Sequence, residues 1–173
     1  MRTARELLSQ YAAYHRDRRN IATHFVGIPM IVFSVAELLA RLSIGGPDSP
    51  VSAAVVMWVL TTVFYLSRHV VVGVATSLAV GLAVVAGHTF AHAPLLTWLS
   101  VGIGSFVVGW IIQFVGHYFE GKKPAFVDDI IGLLIGPMFV VAEVVFFLGL
   151  SSDLRDHIET TAGPTLIRDL RRA

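Results

Sequence analysis

The sequence predicts an all-α fold: a polytopic membrane helical bundle with four to five membrane-embedded segments plus an N-terminal amphipathic helix. Three observations carry this. Hydrophobic residues make up 55% of the 173 positions and charged residues only 14%, well under the roughly 25% of an ordinary soluble chain. Mean hydropathy is +0.72. The apolar residues fall into five long runs separated by short polar or turn-forming stretches, each run near the ~20 residues that cover a hydrocarbon layer as a helix.

The elements follow in order. Residues 3–15, TARELLSQYAAYH, place Leu7, Leu8, Tyr11 and Tyr14 or His15 at helical spacing, which gives an amphipathic helix lying on the membrane surface or on the bundle. The first apolar segment is 25–40, ending before the turn-rich GGPDSP of 45–50. The second, 51–67, and third, 70–87, are separated only by a few residues around His69 and form a tight hairpin. The fourth is 95–115, and the fifth, 126–150, holds Gly136-Pro137 in its middle. The first two are short for a span, so Trp58 and Tyr65 are expected to anchor at an interface. The whole is one integral membrane domain, 1–173: a leader with the first histidine motif (1–24), the membrane segments (25–150) and a cytoplasmic tail (151–173). No cleavable signal peptide is expected, because a charged leader precedes the first apolar run.

Basic residues set the orientation. Arg2, Arg5, Arg16, Arg18 and Arg19 put the leader in the cytoplasm; the first loop has only Arg41; Lys122 and Lys123 mark the fourth loop, which four crossings return to the cytoplasm. The tail, with Arg155, Arg168, Arg171 and Arg172, calls for the same side. That predicts a fifth segment broken at Gly136-Pro137 that re-enters rather than spans, since proline removes a backbone donor and clashes with the preceding turn.

Composition removes several chemistries. There is no cysteine, so thiolate zinc sites, cysteine-ligated clusters, disulfides and cysteine nucleophiles are excluded. A net charge of +1 gives no basic field for nucleic acid. A metal here must be held by imidazoles and carboxylates.

Two stretches supply them. In YHRDRRNIATHF, His15 and His24 are nine residues apart; on one unbroken helix they point to opposite faces. Both reach one ion only if the helix breaks at RDRRN, where Asn20 serves as N-cap of a new helix and Asp17 caps or bonds locally. A charged interfacial linker with two unconnected histidines fits the spacing equally well. In QFVGHYFEGKKPA, His117 and Glu120 are i, i+3 on one helix face, and Gly116 leaves room for a neighbouring backbone. The crossing count puts His117 on the same side as His15 and His24. Imidazoles with one carboxylate suit iron or zinc, and open positions suit oxygen-activating Fe(II); an ion pair of Glu120 with Lys122 or Lys123 is the plainer alternative. Glu143, inside an apolar run, is expected to face the protein interior as a further ligand, a partner of a ligating histidine, or an acid–base group. Glu37 lies near its segment's end and is expected to snorkel. Asp128 and Asp129 are read as helix-start residues. His88 and His92 fall on the opposite membrane face and are set aside, and His69 and His157 show no evident partner.

The stretches YHRDRRNIATHFVGIP and GWIIQFVGHYFEGKKPAFVDDIIGLLIGPMFVVAEVVFFLG resemble the two signature blocks of the Mpo1-like family of membrane proteins; the middle of the chain, 45–100, is similar only as apolar helices. Asp128-Asp129 stands where the family often has Asp-Asn. The resemblance implies an Fe(II)-dependent dioxygenase that takes a 2-hydroxy fatty acid and molecular oxygen to the fatty acid one carbon shorter. It implies His15, His24 and His117 as iron ligands, with Glu120 as a further ligand position and Glu143 as a second acidic position of the motif. Arg16, Arg18, Arg19 or Lys122 would hold the anionic head group, and the acyl tail would lie among membrane lipid or between the apolar helices. The expected location is the inner membrane of a bacterium or the endoplasmic reticulum of a eukaryote, with the site facing the cytoplasm. Two other readings share the residues: a zinc-dependent membrane hydrolase, and a transporter or scaffold in which Glu143 lines a path.

Overall fold

The computed structural model describes residues 2–46, 51–127 and 129–169; Asp128, Arg171 and Arg172 lie outside them. The chain is all helical among these residues: α1 (Ala4–Ala12), α2 (Arg18–Ala40), α3 (Ala53–Arg68), α4 (Val70–His88), α5 (Leu95–Glu120), a 3₁₀ turn (Ala125–Val127), α6 (Gly132–Phe147) and α7 (Ser152–Ala162). Three of them, α2, α4 and α5, are long and apolar enough to cross a membrane. With 16 residues, α3 is shorter, and α6 and α7 form a pair bent by 117°.

Local signals set the helix ends. Thr3 and Glu6 close a capping box on α1. Ser52 caps α3, and the ring of His69 accepts from the Val72 N–H to cap α4, a partner the sequence did not suggest. Gly121, at φ 65°, ends α5 in the left-handed conformation that glycine adopts without strain. The first apolar segment is longer than expected because α2 begins at Arg18, with Asp17 rather than Asn20 as its N-cap. At 23 residues it has full spanning length.

The bundle is organised on the crossing of α2 with α5. A Cβ on Gly27 would come within 2.8 Å of the Gly109 carbonyl, and one on Gly116 would collide with Thr23 and Asn20. Gly102, Gly109 and Gly116, seven residues apart, are therefore the stripe that lets the two backbones close. α3 and α4 pack as the expected hairpin, with Trp58 Nε1 donating to the Ser77 carbonyl at 2.8 Å. α1 lies on the bundle. Leu7, Leu8, Tyr11 and Ala12 are buried in one cluster with Phe139, Met138 and Val145 of α6 and with Leu154 and Ile158 of α7.

The fifth segment departs from expectation in where it breaks. Pro137 sits inside α6, and the helix runs on through it. The break comes at 148–151, where Gly149 (φ 76°) and Ser151 (φ 54°) are both left-handed. Both ends of the pair stay at one end of the bundle. At the start, Arg2 pairs with Asp129 at 2.5 Å and the Tyr65 hydroxyl donates to the Leu134 carbonyl. At the far side, Ser151–Leu154 share a pocket with Arg5 and His69. The tail then returns over the leader, where Leu166 and Asp17 form a parallel bridge. That contact answers the charge argument, placing Arg155 and Arg168 at the same end as Arg16–Arg19 and Lys122. Glu37 also differs from expectation. It does not snorkel but is fully buried on α2, against Gly102.

Candidate metal centre

The break between the two histidines is built from backbone bonds. After Ala12 the chain turns, with the His15 N–H donating to Ala12 O at 2.9 Å. Residues 16 and 17 run extended against the tail, and Asp17 Oδ1 accepts from the Arg19 N–H at 2.8 Å to start α2. Asn20 is inside α2; its Nδ2 donates to Tyr14 O at 3.1 Å and to Glu120 Oε2 at 3.2 Å. The turn reverses the chain, and His15 comes back onto His24.

The result is a buried cluster. His15, His24 and His117 are 0%, 1% and 7% exposed, and one ring nitrogen from each lies within 4.8 Å of the others. His15 Nδ1 faces Tyr11 O at 2.7 Å, and His24 Nδ1 faces Asn20 O at 2.8 Å. A carbonyl only accepts, so both Nδ1 atoms carry the proton and both Nε2 atoms present bare lone pairs. Those Nε2 atoms are 3.0 Å apart. Burial, and then the neighbouring His24, hold the His15 ring well below its ordinary pKa, so it is neutral at pH 7. Two acceptors at this distance repel unless a cation sits between them. His117 adds a buried Nδ1 without a hydrogen-bond partner. The donor set fits a divalent transition metal, with the His15 and His24 rings oriented by backbone carbonyls as ligating histidines are. Tyr11 stacks on His15 at 4.1 Å between ring centroids, 5° from parallel, and fixes the plane of that ring.

Glu120 lies outside this group of nitrogens. It is fully buried, and Oε2 accepts from Arg16 N at 2.9 Å, Asp17 N at 2.7 Å and Asn20 Nδ2. It therefore pins the His15 loop to the end of α5. The tail completes the clamp. Arg168 N donates to Asp17 Oδ2 at 2.8 Å, its guanidinium donates to the Glu120 carbonyl, and its Nε stands 3.9 Å from Glu120 Oε1. The Arg19 guanidinium against Asp17 draws that carboxyl down to about 2.

The cations expected to hold substrate are engaged in structure. Arg16 donates from Nε to Ala12 O and His15 O and from Nη1 to Gly163 O, leaving Nη2 buried without a partner. Arg19 is bonded to Asp17 and to Arg168 O. Lys122 Nζ donates to Ala13 O at 2.6 Å. Glu143 is half-buried on α6, where its charge, with those of Glu120 and Glu159, acts on Arg16; it is not in the histidine group. His88 bonds to Ser52 at the opposite end.

A cavity opens beside the cluster, lined by His24, His117, Tyr11, Gln113, Trp110 and apolar residues of α2 and α6. Gln113 is 4% exposed, and neither its amide nitrogen nor its oxygen has a partner. The sequence reading missed it. The signal was there: Tyr11, Asn20 and Gln113 each stand four residues before a histidine of the cluster, the last two on the same helix face as theirs.

A family model described as 2-hydroxy-palmitic acid dioxygenase Mpo1-like matches residues 1–148. A Saccharomyces cerevisiae protein, 2-hydroxy-palmitic acid dioxygenase MPO1, is 32% identical over 157 residues, covering 90% of this chain and 87% of the yeast protein. No solved structure matches.

Proposed function

The chain belongs to the Mpo1-like 2-hydroxy-palmitic acid dioxygenase family, and from that premise we propose that it is an Fe(II)-dependent dioxygenase that shortens 2-hydroxy fatty acids by one carbon. The observation that carries the metal is the pair of bare Nε2 atoms of His15 and His24, 3.0 Å apart and fixed by backbone acceptors on their other nitrogens. His15, His24 and His117 hold the ion. Bound there, ferrous iron supplies the redox chemistry with oxygen that cleavage between C1 and C2 requires. Glu120 acts as a positioning residue that keeps His15 over His24. Glu143 serves as a charge partner of Arg16.

The head group of the substrate is a carboxylate with an adjacent hydroxyl. Gln113, with a free donor and a free acceptor in the cavity wall, matches that pair. Arg16, next in the chain to His15 and with Nη2 unpartnered, is the cation we assign to the carboxylate; Arg19 and Lys122 hold the loop that carries it. We place the site at the cytoplasmic end of an integral membrane bundle, because among the described residues that end carries the arginines and lysines and the other has Arg41 alone.

Protein purified without oxygen and loaded with Fe(II) is expected to convert a 2-hydroxy fatty acid and oxygen to the acid one carbon shorter, read by mass spectrometry. His24→Ala is expected to lose both the ion and the activity, with conversion down at least a hundredfold. Zinc as the only ion retained, with no iron-dependent oxygen consumption, would favour the hydrolase reading instead. Metal content and activity unchanged in all three histidine-to-alanine variants would favour a transporter or scaffold.

A further inference from the structure

The cavity at the histidines adjoins another. Ile31, Val32, Trp110, Leu133 and Pro137 line it on one side and line a second, larger cavity on the other. The second cavity follows α2 through Val35 and Ala36 to Leu39 and is walled by α3 from Tyr65 to Ala54. Its surface is apolar, and the polar groups of α3 that line it are satisfied elsewhere. The Thr61 hydroxyl donates to Met57 O and Trp58 O, the Trp58 ring N–H to Ser77 O, and the Tyr65 hydroxyl to Leu134 O. The histidine cavity is the reverse, with unpartnered atoms on Gln113 and His117. The two cavities therefore abut across these shared side chains, one polar with hydrogen-bonding capacity to spare and the other apolar with none.

We propose that this second cavity is the seat of the substrate's acyl chain and that its closed end sets chain-length preference. The proposal rests on the dioxygenase reading for the head group and adds the tail. The occupant is argued from adjacency and length: the side chains shared by the two cavities are all that lies between the histidines and the apolar space. From His24 to Leu39 the helical rise gives about 22 Å, the reach of an extended alkyl chain of roughly 17 carbons. The far end is stopped by a separate packed cluster of Ala36, Ala40, Ala54, Val84 and Ala91, with Leu39 and Trp58 against it. Small residues at that stop fix its depth. The rim is open to the side: Val35, Met57 and Phe106 are 41%, 45% and 39% exposed, so a chain already in the bilayer enters laterally without crossing water.

Thr61 lies midway along the α3 wall, four residues from Met57 and four from Tyr65. Thr61→Trp fills the space at that level. With metal content as the folding control, this variant is expected to prefer acids shorter than the wild type does, its relative conversion of the longest acids falling at least tenfold. Trp58→Ala, which loosens the stop, is expected to move preference the other way. A readout independent of turnover uses metal-free wild-type protein and a 2-hydroxy fatty acid carrying a diazirine near its methyl end. After photolysis, the label is expected on Ala54, Met57, Trp58 or Thr61, the residues of α3 that face the cavity. An unchanged length profile in both variants, with label on the outward-facing Leu60 and Val63, overturns the acyl seat while wild-type conversion leaves the dioxygenase reading standing. Label in the groove without conversion by iron-loaded wild type supports the seat and sinks the reaction.

Discussion

Two glutamates of this bundle are fully buried, one at each end. Glu120 receives three donors on one oxygen and faces Arg168 with the other. Glu37 has no hydrogen-bond partner on either oxygen among the described residues, although Gly102 and Gly87 let neighbouring helices close around it. The same side chain at the same burial does opposite things. Glu120 ties the His15 loop, the start of α2 and the end of α5 into one piece, which offsets the cost of its desolvation. Glu37 bears that cost without a matching bond. Burial alone therefore does not mark a functional acid; the geometry of what it accepts does.

The comparison can be broken at three points. Glu120→Ala is the largest, since it strips the acceptor from Arg16 N, Asp17 N and Asn20 Nδ2 at once; it is expected to cost about 3–5 kcal/mol of stability and most of the metal content. Thermal unfolding in detergent with parallel metal analysis reads both, and an unchanged ion content would mean that Glu120 does not position His15.

Next is the acid side of the same clamp. The Asp17 carboxyl is held at about 2 against an ordinary 3.8. Its folded pKa is depressed, so the stability it contributes is fully present above pH 4 and is lost as pH falls from about 4 through 2. The shift corresponds to about 2 kcal/mol. Histidine protonation acts in the same direction at higher pH, so the test is the difference between wild type and Asp17→Asn, in metal-free protein, across pH 6 to 3. The variant is expected to show the shallower decline below pH 4. Parallel curves would assign the loss of stability to other groups.

The smallest effect has the opposite sign. Glu37→Leu removes an unpartnered carboxyl from an apolar crossing and is expected to leave stability unchanged or raise it by about 1 kcal/mol, with full metal content. A drop as large as that of Glu120→Ala would show that Glu37 has a partner in the membrane after all.

Much of this arrangement was legible along the chain, and the exceptions share a cause. Helical periodicity and charge placed the leader helix, the α3–α4 hairpin and the end of the bundle that carries the basic residues. The nine-residue gap between His15 and His24 required a break, and the break is there. Asn20 was expected to cap α2, but Asp17 does so, because the tail and Glu120 occupy the bonds that decide between them. The fifth segment was expected to break at Pro137, but α6 runs through it and the break comes at Gly149 and Ser151, where two left-handed residues turn the chain. Gln113 went unnoticed because one polar residue in an apolar run carries no meaning until its neighbours are known.

By itself, then, the sequence determined the helices, the absence of thiol chemistry and the imidazoles available to a metal, since these depend on residue type and local period. Only the tertiary structure decided that Glu120 faces backbone N–H groups rather than joining the histidine nitrogens, that the expected substrate cations are spent on carbonyls, and that the tail returns over the leader. Those outcomes depend on contacts between residues about 100 to 150 positions apart, and local spacing holds no information on which distant donor reaches which acceptor first.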